Sequence, residues 1–313
     1  MWQLVSGVFL GWSLGSNDAS NVFGTAVASR MVRFWTAAVL CAVFVFLGAV
    51  FQGGEGMATY HHMAASGSMN VAFVVALSAA LTVTLMTYWG LPVSTSQAVV
   101  GSMVLVGLVK GSLEMGPLYK VLACWVATPV GSMLIAIILY FLLGKIMNLW
   151  DSNMFVYDRN LRIGLIVAGS YGAYALGANN VANVTGVFVG KGMLTPFWAC
   201  VIGGLSIGLG VLTYSHNVMM TVGRGLVKLD AFSAFIVVLS EAITVHMFAY
   251  VGVPVSTSQA VVGAVLGIGV IKGVKTVNFK TLARIVFGWI GTPAISFGGA
   301  WVLYRLFELA GLV

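Results

Sequence analysis

Two pairs of asparagines have a spacing that suits ion binding. Asn17 and Asn21 are four residues apart, as are Asn179 and Asn183, so the two members of each pair share one face of a helix. Four carboxamides offer hard oxygen ligands, which a small cation prefers. The alternative is that buried asparagines only join helices through hydrogen bonds. The occurrence of two copies favours the cation site.

A second motif has the residue types of an anion site, and its sequence PVSTSQAVVG occurs twice without a change. Ser94 and Gln97 have the spacing of a helix capping box, with the serine as N-cap and the glutamine at the third helical position. Ser256 and Gln259 repeat that spacing. Hydroxyls and free backbone N–H groups at a helix start suit a tetrahedral oxyanion. One copy would indicate an ordinary helix start, whereas two identical copies favour a shared site.

Both motifs recur at one spacing. Residues 15–26 (GSNDASNVFGTA) correspond to 177–188 (GANNVANVTGVF), and residues 92–101 correspond to 254–263, so each offset is 162 residues (177 − 15 and 254 − 92). An internal repeat decides an architecture. Polar segments interrupted by Gly and Pro at matching places in two halves are typical of secondary transporters, whose site lies at the repeat interface.

The composition places these motifs in a membrane, because the chain is 60% hydrophobic and only 7% charged. Apolar tracts occur at 2–29, 34–54, 70–90, 92–109 and 118–144, and at 163–190, 195–213, 232–251, 254–271 and 282–307. We therefore predict an all-α polytopic membrane protein of two inverted-topology repeats, each of about five helical segments, with discontinuous helices that meet at a central site. The first repeat is predicted at 1–144, a short cytoplasmic connection at 145–162, and the second repeat at 163–313.

The net charge of +7 indicates a membrane topology rather than nucleic-acid binding. With five crossings per half and the N-terminus outside, 11 of the 15 basic residues fall in inner loops and 4 fall in outer loops and the C-terminus, as the positive-inside rule requires. Five is odd, so the second half enters the membrane from the opposite side, and both termini lie outside. Residues 92–109 are few enough to re-enter instead of crossing.

The glycine at the start of each first motif is predicted to break its helix. Leu4 to Gly15 cover about 18 Å of helix, roughly half the hydrocarbon core. Gly15 permits a break, and Ser16 or Asn17 can cap a new half-helix. Gly177 repeats the arrangement. Four half-helix N-termini of about +0.5 charge each would then oppose about −2, the charge of hydrogenphosphate or sulfate.

The motifs contain no Lys or Arg, so bound cations must complete the compensation of a buried dianion. This requirement makes the entry of the anion depend on the entry of the cation, which is symport. Asp18 is the one acidic residue in the motifs, and its counterpart is Asn180. Asp18 fits the site if it accepts the proton of hydrogenphosphate or binds a cation. Sulfate has no such proton, and the structural alternative for Asp18 is a helix cap.

The duplicated segments resemble the signature of the inorganic phosphate transporter (PiT) family. GSNDASNVFGTAVASR, GANNVANVTG, both PVSTSQAVVG segments and VMMTVGRG at 218–225 carry the resemblance, which covers nearly the whole chain. It implies cation-coupled uptake of inorganic phosphate through the cell membrane, an inverted-repeat fold and termini outside. The family's second copy often has Asp where Asn180 stands, which leaves the coupling ion and the stoichiometry open.

The resemblance also implies two sets of ligands. The phosphate ligands fall on Asp18, Thr95, Ser96, Gln97, Asn180, Thr257, Ser258 and Gln259. The sodium ligands fall on Asn17, Asn21, Ser94, Asn179, Asn183 and Ser256. Sodium ions are co-transported, no other cofactor is expected, and the other partners are membrane lipid and, as an open question, a second copy of the chain.

The predicted function is sodium-coupled symport of inorganic phosphate by alternating access. An enzyme is not expected, because no His or Cys accompanies either motif. A proton-coupled phosphate carrier, a sulfate carrier and an anion channel are the alternatives. Glu241 lies in an apolar tract where the first half has Ala79, and it is either an ion-path carboxylate or a paired structural group. His246 is predicted to be satisfied within the bundle, and Glu55 to lie in an outer loop.

Overall fold

The computed structural model describes residues 1–63, 68–89, 93–150, 153–189, 194–225, 229–273 and 279–313. Within these ranges every regular element is an α-helix, which confirms the predicted all-α class. The helices are α1 (Leu4–Ala28), α2 (Phe34–Gln52), α3 (Gly54–Met63), α4 (Met69–Tyr88), α5 (Thr95–Val109), α6 (Met115–Trp150), α7 (Met154–Val189), α8 (Pro196–Gly225), α9 (Ala231–Tyr250), α10 (Thr257–Lys272) and α11 (Phe279–Leu309).

Seven helices in the described part of the chain are long and apolar enough to cross a membrane, namely α2, α4, α6, α7, α8, α9 and α11. The chain is therefore a multi-pass membrane protein. Helix α1 has 25 residues but contains the polar first motif. Helices α5 and α10 have 15 and 16 residues, or about 22 and 24 Å, which is less than the roughly 30 Å of the hydrocarbon core.

The two halves are related by a twofold axis. Helix α1 packs on α8, and α7 packs on α2. A methyl group at Gly15 would lie 1.9 Å from the carbonyl oxygen of Ile207, and one at Gly177 would lie 2.0 Å from that of Val45. A shift of 162 residues converts the first contact into the second with the halves exchanged. Such reciprocal contacts are the property of a twofold interface.

The prediction that Gly15 and Gly177 break their helices is wrong, because α1 and α7 run through them without interruption. The missing Cβ atoms instead allow two helix backbones to touch. The polar residues that follow stay helical because their side chains find partners; the Ser16 hydroxyl, for example, donates to the carbonyl oxygen of Trp12 at 2.7 Å. Of the four helices that carry the motifs in the described part of the chain, α5 and α10 begin at the centre, whereas α1 and α7 pass through it.

Each repeat contains an antiparallel helical hairpin, α4–α5 in the first and α9–α10 in the second. Lys272 at the end of α10 donates to Asp230, the N-cap of α9, at 2.6 Å. Burial raises the pKa of Asp230, but hydrogen bonds, with that from Lys272 foremost, hold this pKa below its usual value. In the other hairpin, Ser78 and Ser102 both donate to the carbonyl oxygen of Ser296 on α11, at 2.8 and 3.3 Å. Of the tract 92–109, the described residues 93–109 belong to one arm of a hairpin whose tip carries the second motif.

Helix α3 breaks the symmetry between the halves. The segment that contains Glu55 was predicted to be a solvated outer loop; the structure has a helix there that packs against α7, although Glu55 itself is exposed as expected of a solvated residue. Thr59 fixes α3 to the second hairpin, since its hydroxyl donates to the carbonyl oxygen of Gly252 at 2.6 Å. The corresponding residues of the second repeat, 216–225, continue α8 without a break. The repeat boundaries at 144 and 163 stay a prediction, although α6 and α7 both extend into the connection between them.

The glycine contacts predict a sharp difference between two Gly→Ala variants. Gly15→Ala should lower the midpoint of thermal unfolding in detergent, because overpacking costs about 1–3 kcal/mol and here the clash is with backbone. Gly131→Ala in α6 is the matched control, since nothing lies within 4 Å of its added methyl group. The control should be neutral or stabilising because Ala gains about 1 kcal/mol of helix propensity. Equal midpoints for the two variants would contradict the twofold packing.

Candidate functional site

All fourteen predicted ligands are buried in the centre of the bundle. Their side chains are each at most 6% exposed. They lie on four helices, α1, α5, α7 and α10, and on the N-caps of α5 and α10. Polar groups at this depth need partners, so the hydrogen bonds among them define the site.

The predicted caps of the second motif are present. The Ser94 hydroxyl accepts from the backbone N–H of Gln97 at 3.3 Å, and Ser256 accepts from that of Gln259 at the same distance. The return bond of a capping box does not form, because the Oε1 atoms of both glutamines have no partner among the described residues. Both glutamine side chains are therefore free to contact a ligand.

Reciprocal hydrogen bonds join the two hairpin tips. The Ser96 hydroxyl donates to the carbonyl oxygen of Val255 at 3.0 Å, and the Ser258 hydroxyl donates to that of Val93 at 3.1 Å. The twofold axis passes between these bonds, so the N-termini of α5 and α10 meet at one place. They supply about +1 of partial charge in total. The predicted value of about +2 is too high because α1 and α7 do not begin here.

Helix α1 holds the start of α10. The Thr257 hydroxyl donates to Asp18 Oδ2 at 3.2 Å and accepts from the Asn21 carboxamide at 3.1 Å. Asn17 donates to the hydroxyl of Thr87 on α4 at 2.7 Å. The first motif thus contacts both hairpins, the first through Asn17 and the second through Asp18 and Asn21.

Helix α7 holds the extended segment before α10. Asn179 Nδ2 donates to the carbonyl oxygen of Val253 at 3.1 Å, and its Oδ1 accepts from the N–H of Val255 at 2.9 Å. The carboxamide therefore pairs with the extended backbone as a neighbouring strand would. This pairing keeps the segment buried without orphaned backbone groups.

The second asparagine of α7 connects three elements. Asn183 Nδ2 donates to Asn180 Oδ1 at 2.7 Å and to the Ser96 hydroxyl at 3.2 Å. Tyr60 on α3 donates its hydroxyl hydrogen to Asn183 Oδ1. Helix α3 is thereby attached to the site on one side of the axis.

Sequence reasoning did not identify Tyr60 or Thr87 as neighbours of the site. Both lie outside the two motifs, and the repeat offers no signal for them. The counterpart of Tyr60 is Val222, and the counterpart of Thr87 is Ala249. His246, in contrast, is satisfied as predicted, because its two ring nitrogens lie 2.8 Å from the Tyr171 hydroxyl and 2.7 Å from Gln52 Oε1.

Five of the eight predicted phosphate ligands have a buried polar atom without a partner among the described residues. These atoms are Asp18 Oδ1, Thr95 Oγ1, Gln97 Oε1, Asn180 Nδ2 and Gln259 Oε1. An unsatisfied buried polar atom costs about 1–3 kcal/mol. Amide groups can turn to present either oxygen or nitrogen, so the cluster can donate several hydrogen bonds to an anion. The geometry fits a bound oxyanion better than it fits a protein core.

A buried polar centre between two related hairpins in a helical membrane bundle defines a membrane transport protein. The phosphate transporter family model (PHO4) matches residues 14–300, so the chain belongs to the phosphate transporter family. Its members are transporters and not enzymes.

Individual relatives cover nearly the full length of the chain. The protein named "Putative phosphate permease" of Methanocaldococcus jannaschii is 31% identical over 304 residues, which are 97% of this chain and 96% of the relative. "Sulfate permease CysP" of Bacillus subtilis is 28% identical over 96% of this chain and 86% of its own length. The solved structure "The sodium-dependent phosphate transporter" has the same fold, with a TM-score of 0.88 at 24% identity over 99% of this chain and 100% of that chain.

The two helix starts predict the effects of two threonine variants. Thr95→Ala and Thr257→Ala should each weaken phosphate binding, because a hydrogen bond to a charged group contributes about 1.5–3 kcal/mol, roughly ten- to 150-fold in affinity. Thr257→Ala should also lower the unfolding midpoint without phosphate, because it leaves Asp18 and Asn21 without their partner. Thr95→Ser and Thr257→Ser keep the hydroxyl and serve as controls. Loss of affinity in only one alanine variant would contradict the shared site.

Proposed function

We propose that the chain carries inorganic phosphate across the cell membrane together with sodium ions, by alternating access. The observation that supports this proposal is the cluster of five unpartnered polar atoms at two converging helix N-termini. Membership of the phosphate transporter family supports phosphate as the substrate. The name of the solved structure with the same fold supports sodium as the coupling ion.

The phosphate ligands in this proposal surround the twofold axis. The first-turn N–H groups of α5 and α10 lack intrahelical partners, and the side chains add donors next to them. The phosphate-binding set comprises Asp18, Thr95, Ser96, Gln97, Asn180, Thr257, Ser258 and Gln259. Asp18 Oδ1 accepts the proton that hydrogenphosphate carries, which makes the carboxylate a partner of phosphate rather than a source of repulsion.

The sodium ligands in this proposal are amide and hydroxyl oxygens around the phosphate set. They comprise Asn17, Asn21, Ser94, Asn179, Asn183 and Ser256. Asn179 Oδ1 and Asn183 Oδ1 each accept one hydrogen bond from the protein, and each keeps a second lone pair. Hard oxygen ligands without a cluster of His, Cys or carboxylates suit sodium.

The charges at the site require cations. Hydrogenphosphate and Asp18 together bring about −3, and the two helix N-termini return about +1. No Lys or Arg lies in either motif. About two positive charges remain to be supplied, which corresponds to two sodium ions per hydrogenphosphate. The absence of helix breaks in α1 and α7 increases this requirement, because it removes two of the predicted helix ends.

Two crevices next to the hairpin tips support alternating access. One, of about 520 Å³, is lined in part by Gln52, Ala249 and Tyr250. The other, of about 160 Å³, has their counterparts Tyr214, Thr87 and Tyr88 in its wall, together with the hydroxyls of Ser13, Ser16 and Thr84. Because related residues line both crevices, we propose them as the two approaches to the site, and their unequal volumes are consistent with alternating access.

The proposed orientation places both termini outside. Each repeat then has three crossings and one re-entrant hairpin, so the number of crossings stays odd and the repeat inverted. The residues that join the arms of the first hairpin, 89–94, contain no charge. The positive-inside distribution of 11 to 4 is therefore the same whether α4 and α5 cross or re-enter.

Sulfate is the second candidate substrate, because the chain is 28% identical to a relative named as a sulfate permease. Asp18 distinguishes the two anions. A carboxylate that accepts a hydrogen bond favours an oxyanion that carries a proton, and sulfate has none at neutral pH. Protons are the second candidate driver of transport.

Radiolabelled phosphate uptake into proteoliposomes tests the driver. An inward sodium gradient at equal pH on both sides should drive accumulation, and replacement of sodium by potassium should abolish it. The cation requirement of the buried anion is the physical reason. Full accumulation in sodium-free buffer under a pH gradient alone would instead establish a proton-coupled carrier.

Asp18→Asn should abolish coupled phosphate uptake while the fold is retained, because it removes the charge and replaces an acceptor with a donor. Sulfate binding should gain relative to phosphate binding, since the added donor can bond an unprotonated oxyanion. Binding of both anions at pH 7 over a sodium titration measures both effects. Asn180→Ala is a comparison variant that removes a donor on the other side of the axis. Unchanged phosphate affinity and sodium dependence in Asp18→Asn would reduce Asp18 to a structural role.

A further inference from the structure

A second carboxylate lies inside the membrane domain, outside both motifs. Glu241 on α9 is 0% exposed, and neither of its carboxylate oxygens has a hydrogen-bond partner among the described residues. Asp18 is the other acidic side chain that is buried in the described part of the chain. Each repeat therefore contributes one buried carboxylate, but at positions that the twofold axis does not relate.

The packing around Glu241 has a built-in space for its side chain. A methyl group at Gly172 on α7 would lie 3.3 Å from Glu241 Oε2 and 3.1 Å from Val22 on α1. The counterparts of Gly172 and Glu241 in the first repeat are Leu10 and Ala79, and both are fully buried. A large and a small apolar residue in one half are thus replaced by glycine and glutamate in the other. The small glycine thus leaves room for the larger glutamate, which indicates that the packing of the second half is built around this carboxylate.

Three titratable groups interact with the charge of Glu241, and none of the three is a base. They are Asp18 on α1, Cys41 on α2 and Tyr171 on α7. His246, the base on the same helix, is engaged by the Tyr171 hydroxyl and Gln52 Oε1. Lys272 of α10 is held by Asp230 at the N-terminus of α9, about three helical turns before Glu241. The charged side chains described on α3 and α6 are Glu55, Lys120 and Lys145, and all three are exposed. The carboxylate thus has no cationic side chain to balance it.

A carboxylate in these surroundings needs a proton or a metal cation, because an isolated buried charge is very costly. Gly172 lies next to Glu241 Oε2, and the other atoms closest to that glycine are methyl groups of Val22 and Ala242, which offer no oxygen ligand. A sodium ion requires several oxygen ligands. A proton requires one, so the chemistry of the pocket favours the proton.

We propose that Glu241 is a proton-binding site that makes phosphate binding depend on pH. This inference rests on the proposed phosphate transport. Glu241 is neutral when phosphate occupies the centre, and its ionisation adds a negative charge that acts on Asp18 and opposes the bound anion. Because such coupling is reciprocal, phosphate binding favours protonation of Glu241, and loss of the proton weakens phosphate binding.

The test compares phosphate binding at about pH 6 and pH 8, at saturating sodium, in the wild type and in Glu241→Gln. The glutamine has the same size and is permanently neutral. Phosphate's own titration affects both proteins equally, so the difference between their pH profiles belongs to Glu241. The ratio of phosphate affinity at pH 6 to phosphate affinity at pH 8 should be larger in the wild type than in Glu241→Gln. The expected difference is about fivefold or more, which is the lower end of typical coupling. Glu114→Gln, at an exposed position, should keep the wild-type ratio.

Identical pH profiles in the wild type and Glu241→Gln would overturn the inference. If Glu241→Gln does not fold, infrared difference spectra of Asp18→Asn, recorded without sodium and phosphate, test whether Glu241 binds a proton. In that variant Glu241 is the remaining acidic side chain that is buried in the described part of the chain. A protonated carboxyl band that shifts in D₂O supports the site, and its absence at pH 6 refutes it. If the wild type shows no sodium-dependent phosphate binding at any pH, the proposed function fails instead, and the infrared band still reports on Glu241.

Discussion

Two helix N-termini face each other across a twofold axis in an apolar bundle, and the rest of the structure follows from that arrangement. Both ends carry positive partial charge, so each disfavours the approach of the other until an anion lies between them. Four features hold them in place without neutralising them: the serine caps, the reciprocal bonds of Ser96 and Ser258, the pairing of Asn179 with an extended segment, and the bond from Thr257 to Asp18. Five polar atoms of the predicted phosphate ligands remain without a partner among the described residues.

Close helix packing makes this centre stable. The absent side chains at Gly15 and Gly177 let α1 and α7 contact α8 and α2 through backbone atoms, so the motif-bearing helices cannot shift without losing those contacts. Rigid helices then present Asn17, Asn21 and Asn183 from fixed positions, while the hairpins carry the anion donors. In the proposed alternating access, motion of the hairpins relative to these helices opens one crevice and closes the other.

The two halves differ at three places where the sequence or the structure departs from the twofold symmetry. Asp18 corresponds to Asn180 in the repeat, so one half contributes a carboxylate and the other a carboxamide. Tyr60 reaches Asn183 from α3 because α3 turns inward, whereas the equivalent part of α8 continues straight. Glu241 occupies a space that exists only in the second half.

The sequence by itself determined the class, the repeat, the helical tracts and the identity of the central residues, because burial in a bilayer makes polar residues rare and a duplicated motif makes them stand out. It also determined the caps, since capping depends on residues three apart. Tertiary structure alone decided that Gly15 and Gly177 serve contact instead of a break, because glycine permits both outcomes and only the neighbouring backbone selects one. It alone placed Tyr60 and Thr87 at the site, because long-range partners leave no local pattern. It also decided that His246 has hydrogen-bond partners whereas the carboxylate of Glu241 has none among the described residues. The two residues are five positions apart on one helix, and only the side chains of the adjacent helices determine whether each finds a partner.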